Sequence, residues 1–230
     1  MNKVLLPIKH NFIKFRLENI PLTLLIIKSS LQKIFSLTNK TVYVFGDSHS
    51  FSFSNSEFTV LYLGPATAGG LNKARSTTNS KYKLQNYIHK IGKRNRKLAI
   101  LVFGEIDCRL HIYQKYKNGS NHTGMKNIID QTVKNYFQAV AQIQKQFDKV
   151  AIFNVVPPGE QPNIYTFTNY ATRDTAVKIT KQFNRTLKAH CLQTGVLFID
   201  IYNQLVNKDG KRITKYTLDR CHYNTIIAKL

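Results

Sequence analysis

Short apolar, β-branched runs alternate along this chain with longer stretches in which apolar positions recur every three or four residues. Thr41-Val42-Tyr43-Val44-Phe45, Phe58 to Leu63, Leu98 to Phe103, Val150 to Val156 and Val196 to Asp200 read as five strands. Ser80 to Arg96 reads as a basic helix, with Lys93 to Lys97 as its solvated charged end. Met125 to Phe147 carries Ile129, Val133, Tyr136, Val140, Ile143 and Phe147 on one face, and Asp174 to Cys191 forms a further helix. Strands without a polar face, separated by helices, build a parallel sheet with right-handed crossovers and helices on both sides. The expected fold class is therefore α/β, a three-layer α/β/α sandwich around a parallel sheet of about five strands.

One connection departs from that scheme. Only Phe51 through Glu57 separate the end of the first turn from the second strand. A standard parallel crossover needs about a dozen residues. Either the strand at Phe58 lies elsewhere, or the crossover helix is reduced to a turn.

Residues 1–40 differ from the remainder. Leu5, Ile8, Phe12 and Phe15, then Leu22, Leu25, Ile26 and Leu31, are interleaved with Lys9, Lys14, Arg16 and Lys28. This spacing predicts two basic amphipathic helices parted near Pro21, an N-terminal extension ahead of a domain at 41–230. Such an extension covers the host core or lies on an anionic membrane surface; the cover is the preferred reading. The longest apolar stretch, Ile20 to Ile27, falls well short of the roughly 18 residues of a spanning helix. The first residues do not read as a secretory leader, and the three cysteines are too few and odd in number for a disulfide framework. A cytoplasmic location is expected, with attachment at the inner membrane surface as its variant. After Pro157-Pro158-Gly159, a loop to Tyr170 carries Tyr165 and Phe167, either lining a pocket or packing on the surface.

The candidate chemistry sits at the two ends of that domain. Gly46-Asp47-Ser48-His49 follows the first strand, which puts Ser48 at a strand's carboxyl end, where open α/β sheets bind ligands. Asp219-Arg220-Cys221-His222 closes the chain. A serine hydroxyl attacks esters only when an imidazole takes its proton and a carboxylate orients that imidazole. Ser48, His222 and Asp219 supply these three groups. His49 could touch substrate, although a neighbour on a sharp turn usually points elsewhere. His10, His89, His111, His122 and His190 have no acid at a telling spacing and read as surface or packing residues. No metal is expected: adjacent residues such as Cys221 and His222 rarely face one point, and no second Cys/His cluster has ligand spacing.

These blocks, in this order, resemble the SGNH, or GDSL, family of serine esterases and acyltransferases. Gly64, after the second strand, matches the family's second block, and Gly104-Glu105-Ile106-Asp107, after the third strand, matches its Gly-x-Asn-Asp block in part. The resemblance implies a flavodoxin-like SGNH fold and a catalytic triad of Ser48, His222 and Asp219. It also implies oxyanion donors at the backbone N–H groups of Ser48 and Gly64, with Asp47, Gly104 and Asp107 as supporting residues. In the family the third-block Asn adds a side-chain donor, and such a donor is worth about 3–4 kcal/mol of barrier. Ile106 stands there and cannot donate. Arg109 and then Asn72 are the candidate substitutes; for Arg109 the equal alternative is an ion pair with Asp107 or Glu105.

The expected activity is cleavage or transfer of an O-acyl group, first an acetyl, on a carbohydrate through an acyl-Ser48 intermediate. Hydrolysis needs no cofactor; transfer would take acetyl-CoA as donor, with a capsule or cell-surface polysaccharide as acceptor. Charge narrows the partners further. With 34 Lys and Arg against 12 Asp and Glu, the net charge of +22 favours a polyanionic carbohydrate or an anionic membrane surface. Nucleic acid fits poorly, because the basic residues are dispersed and no nucleic-acid module is present. A basic binding module for an anionic polymer or membrane, weak in catalysis, is the non-enzymatic alternative.

Overall fold

The computed structural model describes residues 42–54, 57–91, 98–118, 124–159 and 171–230. The expected extension at 1–40, the charged run at 93–97, His122 and the aromatic loop residues 165, 167 and 170 lie outside the described residues.

Five parallel strands form one sheet in the order β2-β1-β3-β4-β5. They are β1 (Val42–Gly46), β2 (Phe58–Tyr62), β3 (Leu98–Val102), β4 (Lys149–Phe153) and β5 (Leu197–Ile199). β3 is buried at every position and β4 at all but its first, so both faces of the sheet are covered. Alternate side chains feed two cores. Phe45, Leu101 and Ile152 pack on one side with Leu84, Ile129, Val140, Phe183 and Leu187. Val44, Ile100 and Phe153 pack on the other with Phe53, Ile201, Leu205, Tyr216 and Tyr223.

The first layer consists of α1 (Ser80–Ile91), α3 (Met125–Gln144) and α4 (Arg173–Thr194). The boundaries of α4 follow from local chemistry. Thr172 caps it by accepting from the Thr175 N–H at 3.3 Å, and Gly195, at φ +69°, supplies the left-handed residue that ends it. Among the described residues, the opposite face is covered by short 3-10 turns, at Ser48–Phe53, Tyr202–Gln204, Thr214–Tyr216 and Thr225–Lys229, instead of long helices. Helical segments thus lie on both faces, as the alternation predicts, but those on the second face are short.

The short first crossover is one of these 3-10 turns, so the strand at Phe58 stands where the pattern put it. A further element was missed: a π-turn at Asp107–His111 runs into α2 (Ile112–Lys117) directly after the third block. Gly104 makes that entry feasible. It sits at φ +111°, and a Cβ there would lie 2.8 Å from both Phe183 and Val155.

Candidate active site

Sheet register brings the sequence blocks to one edge. Gly46 pairs with Tyr62 on one side and with Val102 on the other. Two residues further along each strand, Ser48, Gly64 and Gly104 therefore emerge side by side at the carboxyl end. Asp47 starts the 3-10 turn by accepting the His49 N–H on its Oδ1 at 2.8 Å. Ser50 Oγ donates to the Asp47 carbonyl at 2.6 Å, which fixes the turn and lifts the half-buried Ser48 out of the sheet.

The Asp219 block arrives from the far end of the chain. Asp219 Oδ1 accepts the backbone N–H groups of Cys221 and His222, both at 2.6 Å, so the carboxylate folds its own loop. Its Oδ2 lies 2.9 Å from His222 Nδ1, and His222 Nε2 lies 2.9 Å from Ser48 Oγ. A carboxylate can only accept, which assigns the proton to Nδ1 and leaves the Nε2 lone pair facing the serine hydroxyl. The backbone N–H of His222, then its imidazole, then the N–H of Cys221 hold the Asp219 carboxyl well below the usual carboxylate range, so it stays ionised beside His222.

Arg212 braces this loop. Its Nη1 donates to the Arg220 carbonyl at 2.7 Å and its Nη2 to the His222 carbonyl at 3.1 Å, with the guanidinium 4.2 Å over the Tyr223 ring. Sequence reasoning missed Arg212, because one arginine in a strongly basic chain carries no distinguishing pattern. Ser52 Oγ adds a bond of 2.8 Å to the Tyr223 carbonyl, tying the Ser48 turn to the His222 loop.

The Ser48 and Gly64 N–H groups have no hydrogen-bond acceptor among the described residues. Gly64 takes φ +87°. Ile106 is helical at the entry to the π-turn and brings no donor. Arg109 Nε donates to Glu105 Oε1 at 2.7 Å, the ion pair that was the alternative reading of that residue. Asn72 donates to Gln138 at 3.0 Å and accepts from Gln142 at 3.2 Å on α3. Both expected substitutes for the missing Asn are thus held by other partners. A cation unforeseen in the sequence stands close to Gly64: Lys83 Nζ donates to the Leu63 carbonyl at 3.3 Å and lies 3.2 Å from where a Gly64 Cβ would be.

Asp107 has a supporting geometry. It is buried, and its two oxygens accept the N–H groups of Ala68 at 2.7 Å and Gly69 at 3.2 Å, pinning the small-residue loop that follows Gly64. Burial pushes its carboxyl up, against the lowering effect of those two bonds. Asp107→Ala leaves two donors without acceptors and is expected to cost about 2–4 kcal/mol in urea unfolding, whereas Asp107→Asn, which keeps one acceptor oxygen, should cost less than half of that. Equal losses in the two variants would exclude this pinning role.

His49 is buried beneath His222, their ring centroids 5.0 Å apart. Its Nδ1 lies 3.2 Å from Asp47 Oδ1 and its Nε2 3.3 Å from the Cys221 carbonyl. Burial alone would lower its pKa, but the hydrogen bonds to the Asp47 carboxylate and the Cys221 side chain, with the charges of Glu105 and Asp47, outweigh burial and raise it well above 6.5. A raised histidine stabilises the fold fully below its unfolded pKa of about 6.5, and that contribution is lost as pH rises through the folded value. Wild-type unfolding free energy should therefore fall with pH from about 6.5 upward more steeply than that of His49→Gln. Parallel curves for the two proteins would remove the protonated His49 from the account.

No family model matches the chain, and no curated protein matches it by sequence. Solved structures do match. A candidate acylhydrolase of Bacteroides fragilis aligns with a TM-score of 0.53 at 16% identity, covering 82% of this chain and 81% of that one. A GDSL-like lipase of Bacteroides thetaiotaomicron aligns with a TM-score of 0.50 at 16% identity, over 86% and 89% of the two chains. Est24, a carbohydrate acetylesterase of Sinorhizobium meliloti, aligns with a TM-score of 0.50 at 13% identity, over 82% and 92%. The fold is that of the SGNH/GDSL hydrolases.

Proposed function

We propose that this chain is a serine-dependent acyl-ester hydrolase that removes O-acyl groups, acetyl first among them, from a carbohydrate. The observation that carries the proposal is the continuous path from Asp219 through His222 to Ser48, with two contacts of 2.9 Å. Ser48 Oγ attacks the ester carbonyl while its proton passes to His222 Nε2, and Asp219 stabilises the resulting imidazolium. The tetrahedral oxyanion rests on the Ser48 and Gly64 N–H groups, without the side-chain donor that the family's Asn would add. His222 then returns its proton to the departing sugar hydroxyl, and water repeats the sequence on the acyl-Ser48 ester. No metal or redox group takes part in these steps.

The carbohydrate assignment draws support from the acetylesterase among the structural neighbours and from the net charge of +22, which favours a polyanionic sugar. The same charge would draw the phosphates of acetyl-CoA, so transfer to a polysaccharide hydroxyl is the second reading. Hydrolysis of an acetylated chromogenic ester, followed with and without acetyl-CoA and an acceptor glycan, tests both. Acetyl-CoA consumed only when glycan is present would select the transferase, and no ester turnover under any condition would overturn the enzymatic proposal. No helix among the described residues is long and apolar enough to cross a membrane. Attachment of residues 1–40 to an anionic surface remains part of the proposal.

A further inference from the structure

Three metal-ligating side chains converge beside the serine. Sequence spacing argued against such a cluster, because Cys221 and His222 are neighbours and no partner motif is visible. The fold supplies the third member from the other end of the chain. Ligand atoms of His49, Cys221 and His222 all lie within 4.8 Å of one another, with Cys221 Sγ 3.9 Å from His49 Nε2. Tetrahedral zinc, with bonds of about 2.0–2.1 Å to nitrogen and about 2.3 Å to sulfur, sets its N and S ligands about 3.6 Å apart. The spread of up to 4.8 Å exceeds that distance, so metal capture requires the three side chains to move closer together.

The surroundings of the two imidazoles match what zinc asks of histidine ligands. Metal-bound imidazoles present one nitrogen to the metal while a carboxylate holds the other. Here Asp47 lies against His49 Nδ1 and Asp219 against His222 Nδ1, so Nε2 of each ring is the atom turned to the cluster. Thiolate and two imidazoles form a soft to borderline donor set that favours Zn²⁺ over Mg²⁺ or Ca²⁺. A fourth position is open to the Ser48 hydroxyl or to water.

From these contacts we infer that His49, Cys221 and His222 form a binding site for a thiophilic divalent cation, Zn²⁺ foremost, that shuts the active site by occupying the nitrogen on which Ser48 depends. The inhibitory half rests on the reading of Ser48 and His222 as nucleophile and base; the binding half stands without it. On capture, the Cys221 thiol and the His49 Nε2–H each release a proton to solvent, His49 Nε2 exchanges its 3.3 Å contact with the Cys221 carbonyl for a metal bond, and the His222 Nε2 lone pair is no longer available to the Ser48 proton. Metal binding and ester hydrolysis are thus mutually exclusive, and a chelator restores activity.

Cobalt(II) reports thiolate coordination directly. Titration of the full chain with Co²⁺ should give a thiolate-to-metal charge-transfer band saturating at one equivalent and bleached by Zn²⁺. Cys221→Ser should abolish that band while keeping basal ester hydrolysis within twofold, and should raise the zinc concentration for half-inhibition by tenfold or more. Mg²⁺ should neither bleach the band nor inhibit. Absence of the band, or its persistence in Cys221→Ser, would overturn the site. A normal band with hydrolysis unaffected by saturating Zn²⁺ would overturn the inhibition. If the chain hydrolyses no ester, the cobalt titration still decides the binding site, and only the esterase proposal fails.

Discussion

Ser48→Ala is expected to lower ester hydrolysis by about four orders of magnitude or more, to near the rate of the uncatalysed reaction. Removing a triad nucleophile elsewhere leaves a residue of catalysis from the oxyanion hole and from binding. That residue should be small here, because Ile106 occupies the position of the third donor. The same variant should fold normally. Ser48 is half-buried and its hydroxyl makes one described contact, to His222, so the thermal midpoint should move by no more than about 2 °C. Rates on the acetylated chromogenic ester and a thermal melt measure both quantities. Wild-type turnover in Ser48→Ala would sink the mechanism outright.

The second large effect is expected at Asp219. In Asp219→Asn the amide oxygen can still accept from the Cys221 and His222 N–H groups, which keeps the loop folded and turns the NH2 group toward His222 Nδ1. An amide donor at Nδ1 forces the proton onto Nε2, and that nitrogen can then no longer accept from Ser48. Turnover should fall by about a thousandfold, somewhat less than the roughly 10⁴ seen for a buried triad carboxylate. The discount follows from exposure: the Asp219 side chain is 52% accessible, so water can partly reorient the ring. KM should stay within about threefold, since the carboxylate acts on the base and not on bound substrate. A loss of less than tenfold would remove Asp219 from the mechanism.

The strands and the contact of Asp219 with His222 were legible in the sequence for the same reason: both are local patterns. β3 and β4 are continuous apolar runs, and Asp219-x-x-His222 closes its own loop through backbone bonds only two and three residues long. What the sequence hid is long-range pairing. Whether Arg109 turns to Glu105 or elsewhere is decided by the π-turn that begins at Asp107, and no periodicity announces a π-turn. The place of His49 against Cys221, 172 positions away, is one such pairing. The faces taken by the helices were equally invisible, because an amphipathic stripe says that a helix packs, not on which side of the sheet.

The loop that carries His222 consists of 3-10 turns and two isolated bridges, Val206 with Arg212 and Thr217 with Tyr223, rather than of regular ladder. Irregular segments open at lower free energy than the sheet beneath them. Ser48 starts the 3-10 turn that leaves β1, and His222 lies in this irregular terminal segment. With Ser48 and His222 as the proposed pair, partial unfolding of the terminal segment is expected to extinguish activity while the sheet is still intact. Loss of function on heating or in denaturant would then precede loss of secondary structure.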